Sequence, residues 1–251
     1  MTLRPRTVAL PAVLAALTLV TGLLTACAGG GGAASSTGAA STSATGTASS
    51  SSASIALPTG VLPAGDPNEF GFVVGDASEG VPTLAIWEDF QCPACGWVES
   101  MNGAGIQALA TSGQVRLIWR PASFLDSRFP GDHSARATAA WGCAIDAGAG
   151  PAYHDALFAS QPEEEGTGWT DAQLAELGST VGITGSAYDD FTVCIADARY
   201  RPWAAVSNIA FYASDAGGTP TAVIDGVTVP ESATVLATPE LLEKVIAGGS
   251  V

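Results

Sequence analysis

The sequence predicts an α/β domain in which a strand–helix–strand segment comes first, a block of helices follows, and a β-hairpin with a last helix closes the chain. Dense apolar runs at Thr83–Trp87 and Val115–Trp119 are typical of buried strands. Between residues 132 and 212, apolar side chains recur at helical spacing. The turn sequence Asp225-Gly226, set between two short apolar runs, indicates the hairpin.

The first part of this domain alternates strands with one long helix. Phe70–Val74 is a short apolar run and predicts a strand ahead of the central one. Pro93 fits the first position of the helix, where its missing N–H costs no hydrogen bond. The helix is expected to end near Gly113, directly before the strand that begins at Val115.

Capping and proline signals divide the helical block. Its first helix carries an apolar stripe formed by Ala137, Ala140, Trp141, Ala144 and Ile145. Further helices are expected to begin at Pro151, at Thr170, which starts a capping box, and at Ser186, which could cap its helix. Trp203–Tyr212 continues the helical pattern to the end of the block.

The C-terminal part returns to strands. Thr221–Ile224 and Val227–Val229 are predicted to pair across the Asp225-Gly226 turn. Thr238-Pro239 then opens a last helix, whose apolar face is formed by Leu241, Leu242, Val245 and Ile246.

Residues 1–26 are typical of an export signal. Arg4 and Arg6 precede a mostly apolar stretch from Val8 to Leu24, which is followed by small residues. Leu24-Thr25-Ala26-Cys27 has the form of a bacterial lipobox, in which Cys27 is lipidated and becomes the mature N-terminus. The alternative is an ordinary cleaved signal with an incidental cysteine.

A flexible tether is expected to follow the signal. Every residue from 28 to 54 is Ala, Gly, Ser or Thr, so this segment has nothing to bury. We assign residues 27–65 to the lipidated N-terminus and tether, and residues 66–251 to one folded domain.

The charge of the chain excludes one class of partner. Without the two arginines of the export signal, seven basic residues face 24 acidic ones, a net charge of −17. Nucleic acid would repel such a protein, as would anionic lipid headgroups. Membrane attachment is therefore expected to depend on the lipid of Cys27.

The five cysteines fall into three groups. Cys27 belongs to the lipobox, which leaves Cys92, Cys95, Cys143 and Cys194. Four cysteines allow three pairings. Cys92 and Cys95 can bridge locally, and Cys143 would then bridge Cys194 across 51 positions as a structural disulfide. In the alternative, Cys143 or Cys194 relays electrons.

The Cys92-Pro93-Ala94-Cys95 segment carries the candidate chemistry. A thiolate is the species that attacks disulfides, and a helix N-terminus stabilises it. Cys92 stands at such a start and is therefore the predicted nucleophile, with Cys95 as the resolving thiol one turn later. Pro93 and Ala94, between them, are expected to tune the reduction potential.

Two other interpretations of this cysteine pair remain open. A zinc site would need two more ligands, but Cys143 and Cys194 are far apart in sequence, and the only histidines are His133 and His154. We expect no metal, and we expect both histidines on helix surfaces. A purely structural disulfide is the second alternative.

Four segments resemble the DsbA-like thiol–disulfide oxidoreductases. Trp87–Cys95 is similar to their active-site segment, and Gly218–Gly226 contains a matching Gly-Thr-Pro-Thr. An Ala-rich helix at Ala135–Ala144 and the segment Tyr153–Phe158 follow in the same order. The resemblance covers nearly all of residues 67–251.

This resemblance implies a thioredoxin-like fold with a helical insertion at about residues 131–212. It implies a cis peptide bond at Pro220, with Thr219 offering backbone hydrogen bonds to a substrate chain. The Cys143–Cys194 pair is similar to an extra structural bridge of actinobacterial-type members. The redox centre is the protein's own dithiol, so no cofactor is expected.

One position departs from the family pattern. Many members carry a buried acid six residues before the first cysteine, where this chain has Ile86. Glu88 and Asp89 are candidates for the missing proton transfer, although a solvated strand end is the more ordinary interpretation. Trp97 either flanks a substrate groove or packs beneath the active-site helix.

The resulting hypothesis is an exported, monomeric dithiol oxidase, lipid-anchored to the outer face of the cytoplasmic membrane. It would donate its disulfide to unfolded or reduced exported proteins and be reoxidised by a membrane quinone-linked protein of the VKOR or DsbB type. A reductase or isomerase that uses the same dithiol is one alternative. A lipoprotein that only binds other chains is another.

Overall fold

A five-stranded mixed sheet lies at the centre of the computed structural model, which describes residues 55–75 and 80–250. The strands are β1 (Phe72–Val74), β2 (Thr83–Glu88), β3 (Arg116–Pro121), β4 (Thr221–Ile224) and β5 (Val227–Thr228). Their order across the sheet is β1-β3-β2-β4-β5. β2 runs parallel to β3, and the other neighbouring pairs are antiparallel. Because β2 is in the middle, its residues from Leu84 to Glu88 are all buried.

Helices account for most of the remaining described residues. They are α1 (Pro93–Thr111), α2 (His133–Asp146), α3 (Gly150–Ala159), α4 (Asp171–Thr180), α5 (Ser186–Ala196), α6 (Arg201–Ala213), α7 (Ser232–Ala237) and α8 (Pro239–Ile246). The helix α1 connects β2 to β3, and α2–α6 form an insertion between β3 and β4. A short 3-10 helix, Phe124–Ser127, precedes this insertion.

The insertion is held to the sheet by an aromatic core. Trp141 of α2 is almost fully buried and contacts the rings of Phe72, Phe90 and Trp119. The Trp203 indole of α6 donates a hydrogen bond to the carbonyl oxygen of Phe70, at 2.9 Å. These contacts fix α2 and α6 beside the end of β2, where the CxxC segment begins.

The predicted fold class is confirmed. The strands at β2, β3 and β4 and the long helix after Pro93 occur as expected. The capping box is present, because Thr170 accepts a hydrogen bond from the backbone of Gln173 and the Gln173 side chain accepts one from Thr170. The apolar stripe of α2 is buried throughout.

Three local expectations need correction. Gly185 stands at the N-cap of α5, and Ser186 is the first residue of the helix. The helix α7, at Ser232–Ala237, was not expected, because six residues are too few for a clear helical period. β5 ends at Thr228, one residue before the predicted end.

The folded part of the chain includes residues that the sequence analysis assigned to the tether. Leu57 packs against the hydrophobic core, and Val61 forms a β-bridge with Phe72. The backbone N–H and the hydroxyl of Thr59 both donate to Asp146 of α2. These contacts extend the domain back to Ile55. The predicted signal, Cys27 and segment 28–54 lie outside the described residues.

No helix in the described ranges is long and apolar enough to cross a membrane.

Candidate active site

The CxxC segment is positioned by the end of the central strand. β2 ends at Glu88, and the chain turns so that the backbone N–H of Cys92 donates to the carbonyl oxygen of Asp89 at 2.8 Å. Cys92 has extended backbone angles and forms the N-cap of α1, with Pro93 at the first helical position. The prediction that Cys92 stands at the start of a helix is therefore confirmed.

The two thiols, which are both free, differ in their surroundings. Cys92 is 7% exposed, whereas Cys95 is completely buried. Hydrogen bonding from the Cys95 thiol is the largest influence on the pKa of Cys92. Together with the Thr219 side chain and the backbone N–H groups of Ala94 and Cys95, it outweighs burial and lowers this pKa to about 6. Cys92 is therefore mostly a thiolate at neutral pH.

Cys95 is shifted in the opposite direction. Burial raises its pKa well above the ordinary value for a cysteine, and hydrogen bonding to Cys92 and the negative charges of Cys92 and Glu88 raise it further. The buried thiol therefore keeps its proton while its neighbour is ionised. This difference suits Cys92 for nucleophilic attack and Cys95 for resolving a mixed disulfide.

A second loop, which leads into the neighbouring strand β4, contacts the nucleophile. The Thr219–Pro220 peptide bond is cis, directly before β4. Cys92 Sγ lies 3.3 Å from the carbonyl oxygen of Thr219, to which the protonated thiol can donate a hydrogen bond. Thr221 anchors the loop, because its hydroxyl donates to the carbonyl oxygens of Ala216 and Gly218. The sequence signals at Thr219 and Pro220 thus meet the CxxC segment in space.

Gln161, after the end of α3, is a contact that sequence reasoning missed. Its side-chain amide donates to the carbonyl oxygens of Phe90 and Cys92, at 2.9 and 3.0 Å. It therefore ties the CxxC segment to the insertion. No local pattern marks this residue, since its partners lie about 70 positions earlier in the chain.

Glu88 and Asp89 are both buried, so the interpretation as a solvated strand end is wrong. The carboxylate oxygens of Asp89 accept the backbone N–H groups of Gln91 and Leu125, at 3.0 and 3.1 Å. Burial, the largest effect, raises the pKa of Asp89 to about 7 against the opposing influence of hydrogen bonds from Ser134 and these backbone groups. Asp89 therefore holds the turn between β2 and α1.

Glu88 faces a buried histidine. Its Oε2 lies 3.0 Å from Nε2 of His154, and His154 is only 1% exposed, so the expectation of a surface histidine is also wrong. The imidazole stacks on the Trp119 indole, with ring centroids 3.7 Å apart. Burial lowers the pKa of His154, but hydrogen bonds with Asp155 and Glu88 and the charges of Glu88 and Glu99 outweigh it and raise the pKa overall.

Glu99 completes this cluster from α1. Polar atoms of Glu88, Glu99 and His154 all lie within 4.8 Å of one another. Among the described residues, these three side chains lie close enough together to hold a metal ion. A protonated His154, however, would repel a cation. We refer to Glu88, Glu99 and His154 as the buried triad.

Two apolar side chains are exposed on α1 after the cysteines. Trp97 is 48% and Met101 is 59% exposed, and they are one helical turn apart. Trp97 therefore does not pack beneath the active-site helix, which leaves the groove-flanking alternative.

Cys143 of α2 and Cys194 of α5 form a disulfide, with Cα atoms 5.9 Å apart. Both residues are buried.

A cysteine pair at the start of the helix that follows the central strand, with a cis-proline loop against its first sulfur, defines a thiol–disulfide oxidoreductase. A family model described as thioredoxin (Thioredoxin_4) matches residues 68–244, and the chain belongs to this family. It is a DsbA-like member, and hence a protein disulfide oxidoreductase.

Solved structures agree with this assignment. MdbA of Actinomyces oris, a thiol-disulfide oxidoreductase, is 22% identical with a TM-score of 0.63, over 77% of this chain and 92% of that one. Reduced DsbA of Mycobacterium tuberculosis is 27% identical with a TM-score of 0.58, over 71% and 91%. The reduced oxidoreductase DsbG of the same organism is 28% identical with a TM-score of 0.58, over 71% and 86%. No curated protein sequence matches the chain.

Proposed function

We propose that the protein is an exported oxidase that transfers the Cys92–Cys95 disulfide to thiols of substrate proteins. The observation that supports this proposal most strongly is the opposite shift of the two thiol pKa values. A lowered pKa at Cys92 stabilises the reduced, thiolate form, and a stable reduced form makes the disulfide a stronger oxidant. Ala94 adds no charge that would oppose this effect.

The reaction transfers two electrons from the substrate to the dithiol. A substrate thiolate attacks Sγ of oxidised Cys92, the Cys92–Cys95 bond breaks, and its electron pair stays on Cys95, which takes up a proton. A second substrate thiolate then attacks the substrate sulfur of the mixed disulfide and releases Cys92 as a thiolate. A membrane quinone-linked protein of the VKOR or DsbB type accepts the two electrons and restores the disulfide.

Proton transfer at Cys95 is assigned to Glu88. Glu88 is buried, and its negative charge is among the influences that raise the pKa of Cys95. Asp89 is less suited, because its two oxygens already accept backbone hydrogen bonds. Glu88 thus takes the place of the acid that is missing at Ile86.

Substrate binding is assigned to the loop at Thr219 and Pro220. The backbone of Thr219 lies next to Cys92 Sγ, so an extended substrate chain that bonds to it would bring its own sulfur to Cys92. The exposed Trp97 and Met101 offer apolar contact beside the same cysteine.

The proposed location follows from the N-terminal sequence. The signal at residues 1–26 directs export, and a lipid on Cys27 anchors a monomer to the outer face of the cytoplasmic membrane. The acidic mature chain would otherwise be repelled by anionic headgroups.

A redox titration against glutathione tests the direction of electron flow. The mature chain carrying Cys27→Ser is equilibrated with reduced and oxidised glutathione, and the state of Cys92 and Cys95 is read by thiol trapping and mass spectrometry. A potential near or above about −150 mV is expected for an oxidase, whereas about −250 mV or below would assign a reductase. If the dithiol does not exchange with glutathione and Cys92→Ser binds unfolded chains as well as wild type does, the protein is a lipoprotein that only binds other chains.

A further inference from the structure

We propose that a cavity on the face of the sheet opposite α1 is a second binding site, in which the guanidinium of Arg120 binds the carboxylate of an extended peptide. The site is separate from the dithiol and does not depend on the direction of electron flow. It assigns a role to Arg120, which no sequence pattern marks.

The cavity has a volume of about 510 Å³ and is lined by Trp87 and Arg120, which are paired across β2 and β3. Side chains alternate between the two faces of a strand. Trp87 and Arg120 therefore point away from Glu88 and Trp119, which contact α3 on the face that α1 covers. A volume of this size falls in the range of small-ligand pockets, about 300–1,000 Å³.

Arg120 is a buried cation at the floor of this cavity. It is only 8% exposed, and its guanidinium carbon lies 3.9 Å from the centroid of the Trp87 ring. Its Nη2 donates to the carbonyl oxygen of Glu69 at 3.3 Å, whereas its Nε is buried without a hydrogen-bond partner among the described residues. No carboxylate in the described ranges forms an ion pair with it. A bound carboxylate would offset the cost of burying this charge.

The guanidinium is charged when a ligand arrives. Burial lowers the pKa of Arg120 to about 10 against the opposing charges of Glu69 and Asp66, so it stays protonated at neutral pH. These two acids compensate the charge from a distance and leave the donor groups of the guanidinium available.

Acidic groups at the rim decide between anionic ligands. Asp215 and Asp225 line the cavity and are exposed, and Asp66 is half-buried there. A guanidinium fork matches carboxylate and phosphate alike. A phosphate group, with about 1.5 to 2 negative charges, is repelled by this rim more strongly than a single carboxylate is. The favoured ligand therefore carries one carboxylate and a positive charge near it.

The length of the cavity favours an extended chain. It follows β3 from Arg120 back to Arg116, and four residues of a strand correspond to about 13 Å. Thr83, which is paired with Arg116, lines the same end. An extended peptide of about four residues spans this distance. Its basic side chain then lies within reach of the rim carboxylates.

The cavity borders the loop that contacts the nucleophile. Residues 214–216 line it, and the Thr221 hydroxyl donates to the carbonyl oxygen of Ala216 at 3.0 Å. The same loop places the carbonyl oxygen of Thr219 next to Cys92. Because a protein disulfide oxidoreductase acts on protein chains, a peptide is the source of carboxylate that already reaches this loop.

NMR spectroscopy of the mature chain carrying Cys27→Ser measures binding at this site. The Nε–H resonance of Arg120 is identified by its loss in Arg120→Lys, and its shift is followed as ligand is added. The main probe is the peptide acetyl-Lys-Gly-Gly-Gly with a free terminal carboxylate, and its C-terminal amide is the control ligand. Acetyl-Lys-Gly-Gly-Asp amide carries its carboxylate on a side chain, and inorganic phosphate is the competing anion. None of these ligands contains sulfur, so the dithiol takes no part.

We expect the peptide with the free terminus to shift this resonance with a Kd of about 1 mM or tighter, and the amide to bind at least about tenfold more weakly. Binding of the aspartyl peptide would show that acidic side chains are accepted, and its failure would restrict the site to chain termini. Arg120→Gln should weaken binding at least about tenfold, followed by the backbone amide resonances of residues 214–216. Arg128→Gln is the matched control, because this exposed arginine also lies over a ring, that of Phe124, but does not line the cavity.

Asp215→Asn keeps the test decisive if Arg120→Gln does not fold, because Asp215 is exposed. It should weaken binding of the lysyl peptide and strengthen binding of phosphate. The proposal would be overturned by equal affinities for the carboxylate and amide peptides, by tighter binding of phosphate than of peptide, or by no shift at millimolar peptide. A folded Arg120→Gln that binds like wild type, or an unchanged preference in Asp215→Asn, would also reject it. None of these results would touch the oxidase assignment, which the redox potential decides.

Discussion

At the scale of single residues, the active site separates two chemically identical thiols by their surroundings. Cys92 stands at a helix start, close to hydrogen-bond donors, and is slightly exposed. Cys95, one turn later, is enclosed by the core, and burial and the negative charge of Glu88 raise its pKa. The same side chain therefore serves as a stabilised thiolate in one position and as a protonated thiol in the other.

The acidity of Cys92 can be measured directly. The rate of alkylation of the reduced protein should rise with pH around a midpoint near 6, because hydrogen bonding from the Cys95 thiol and the Thr219 side chain stabilises the thiolate. Cys95→Ala should raise this midpoint, since it removes the largest stabilising contact. Thiolate absorbance in the ultraviolet provides an independent measure. A midpoint near about 8.5, the value of a free cysteine, would contradict this account.

Gln161 should matter for stability more than its loop position suggests. Gln161→Ala removes two hydrogen bonds to the carbonyl oxygens of Phe90 and Cys92, so we expect the free energy of unfolding to fall by about 1–2 kcal/mol. Urea unfolding measures this change. Gln114→Ala is the control, because its amide bonds only to exposed Ser112 and should cost no more than about 0.5 kcal/mol. If the two variants lower the free energy of unfolding equally, Gln161 does not stabilise the fold more than an exposed glutamine does.

The sequence could locate Cys92, Cys95 and the Thr219-Pro220 pair, because each belongs to a short pattern. It could not locate His154 or Glu99. Their importance arises from contacts between β2, α1 and α3, and a single histidine in a helix is usually found at a surface. The burial of Glu88 was hidden for the same reason, since the groups that compensate its charge come from other elements.

At the scale of elements, proline signals predicted helix starts reliably. Pro93, Pro151 and Pro239 each lie in the first turn of an observed helix. Short elements were less predictable, because α7 has too few residues to show a period and its position depends on packing against α1 and β4. Residues 55–65 follow a low-complexity segment, and only their contacts with the core reveal that they fold.

A covalent link between α2 and α5 constrains the insertion. The Cys143–Cys194 disulfide closes 51 positions, for which the loop-entropy model gives about 4 kcal/mol of stabilisation. Cys143→Ala/Cys194→Ala should therefore lower the free energy of unfolding by about 2–4 kcal/mol, measured in denaturant. Thiol exchange at Cys92 should be unchanged below the unfolding transition. Lost exchange in a folded double variant would instead support the electron-relay alternative.

At the scale of the whole molecule, the folded chain should bind protons more tightly than the unfolded one. Burial raises the pKa of Asp89 to about 7 and also raises that of Glu99, and their neighbours raise that of His154. Ordinary values are about 3.9, 4.3 and 6.5 for these residue types. Each group thus favours folding at low pH and loses that contribution as the pH rises through its folded pKa. The growing negative charge of this acidic chain acts in the same direction.

Oxidised protein gives the clearest test, because the disulfide removes the opposing titration of Cys92. The free energy of unfolding should fall by about 2 kcal/mol or more between pH 5 and pH 8, since one pKa unit corresponds to about 1.4 kcal/mol. Asp89→Asn keeps much of the side-chain shape but cannot titrate, so it should flatten the slope between about pH 5 and 7. The control Glu165→Gln should leave the slope unchanged, because that carboxylate is exposed. Stability that rises between pH 5 and pH 8 would mean that Asp89 and Glu99 are ionised in the folded state, with hydrogen bonds and ion pairs outweighing burial.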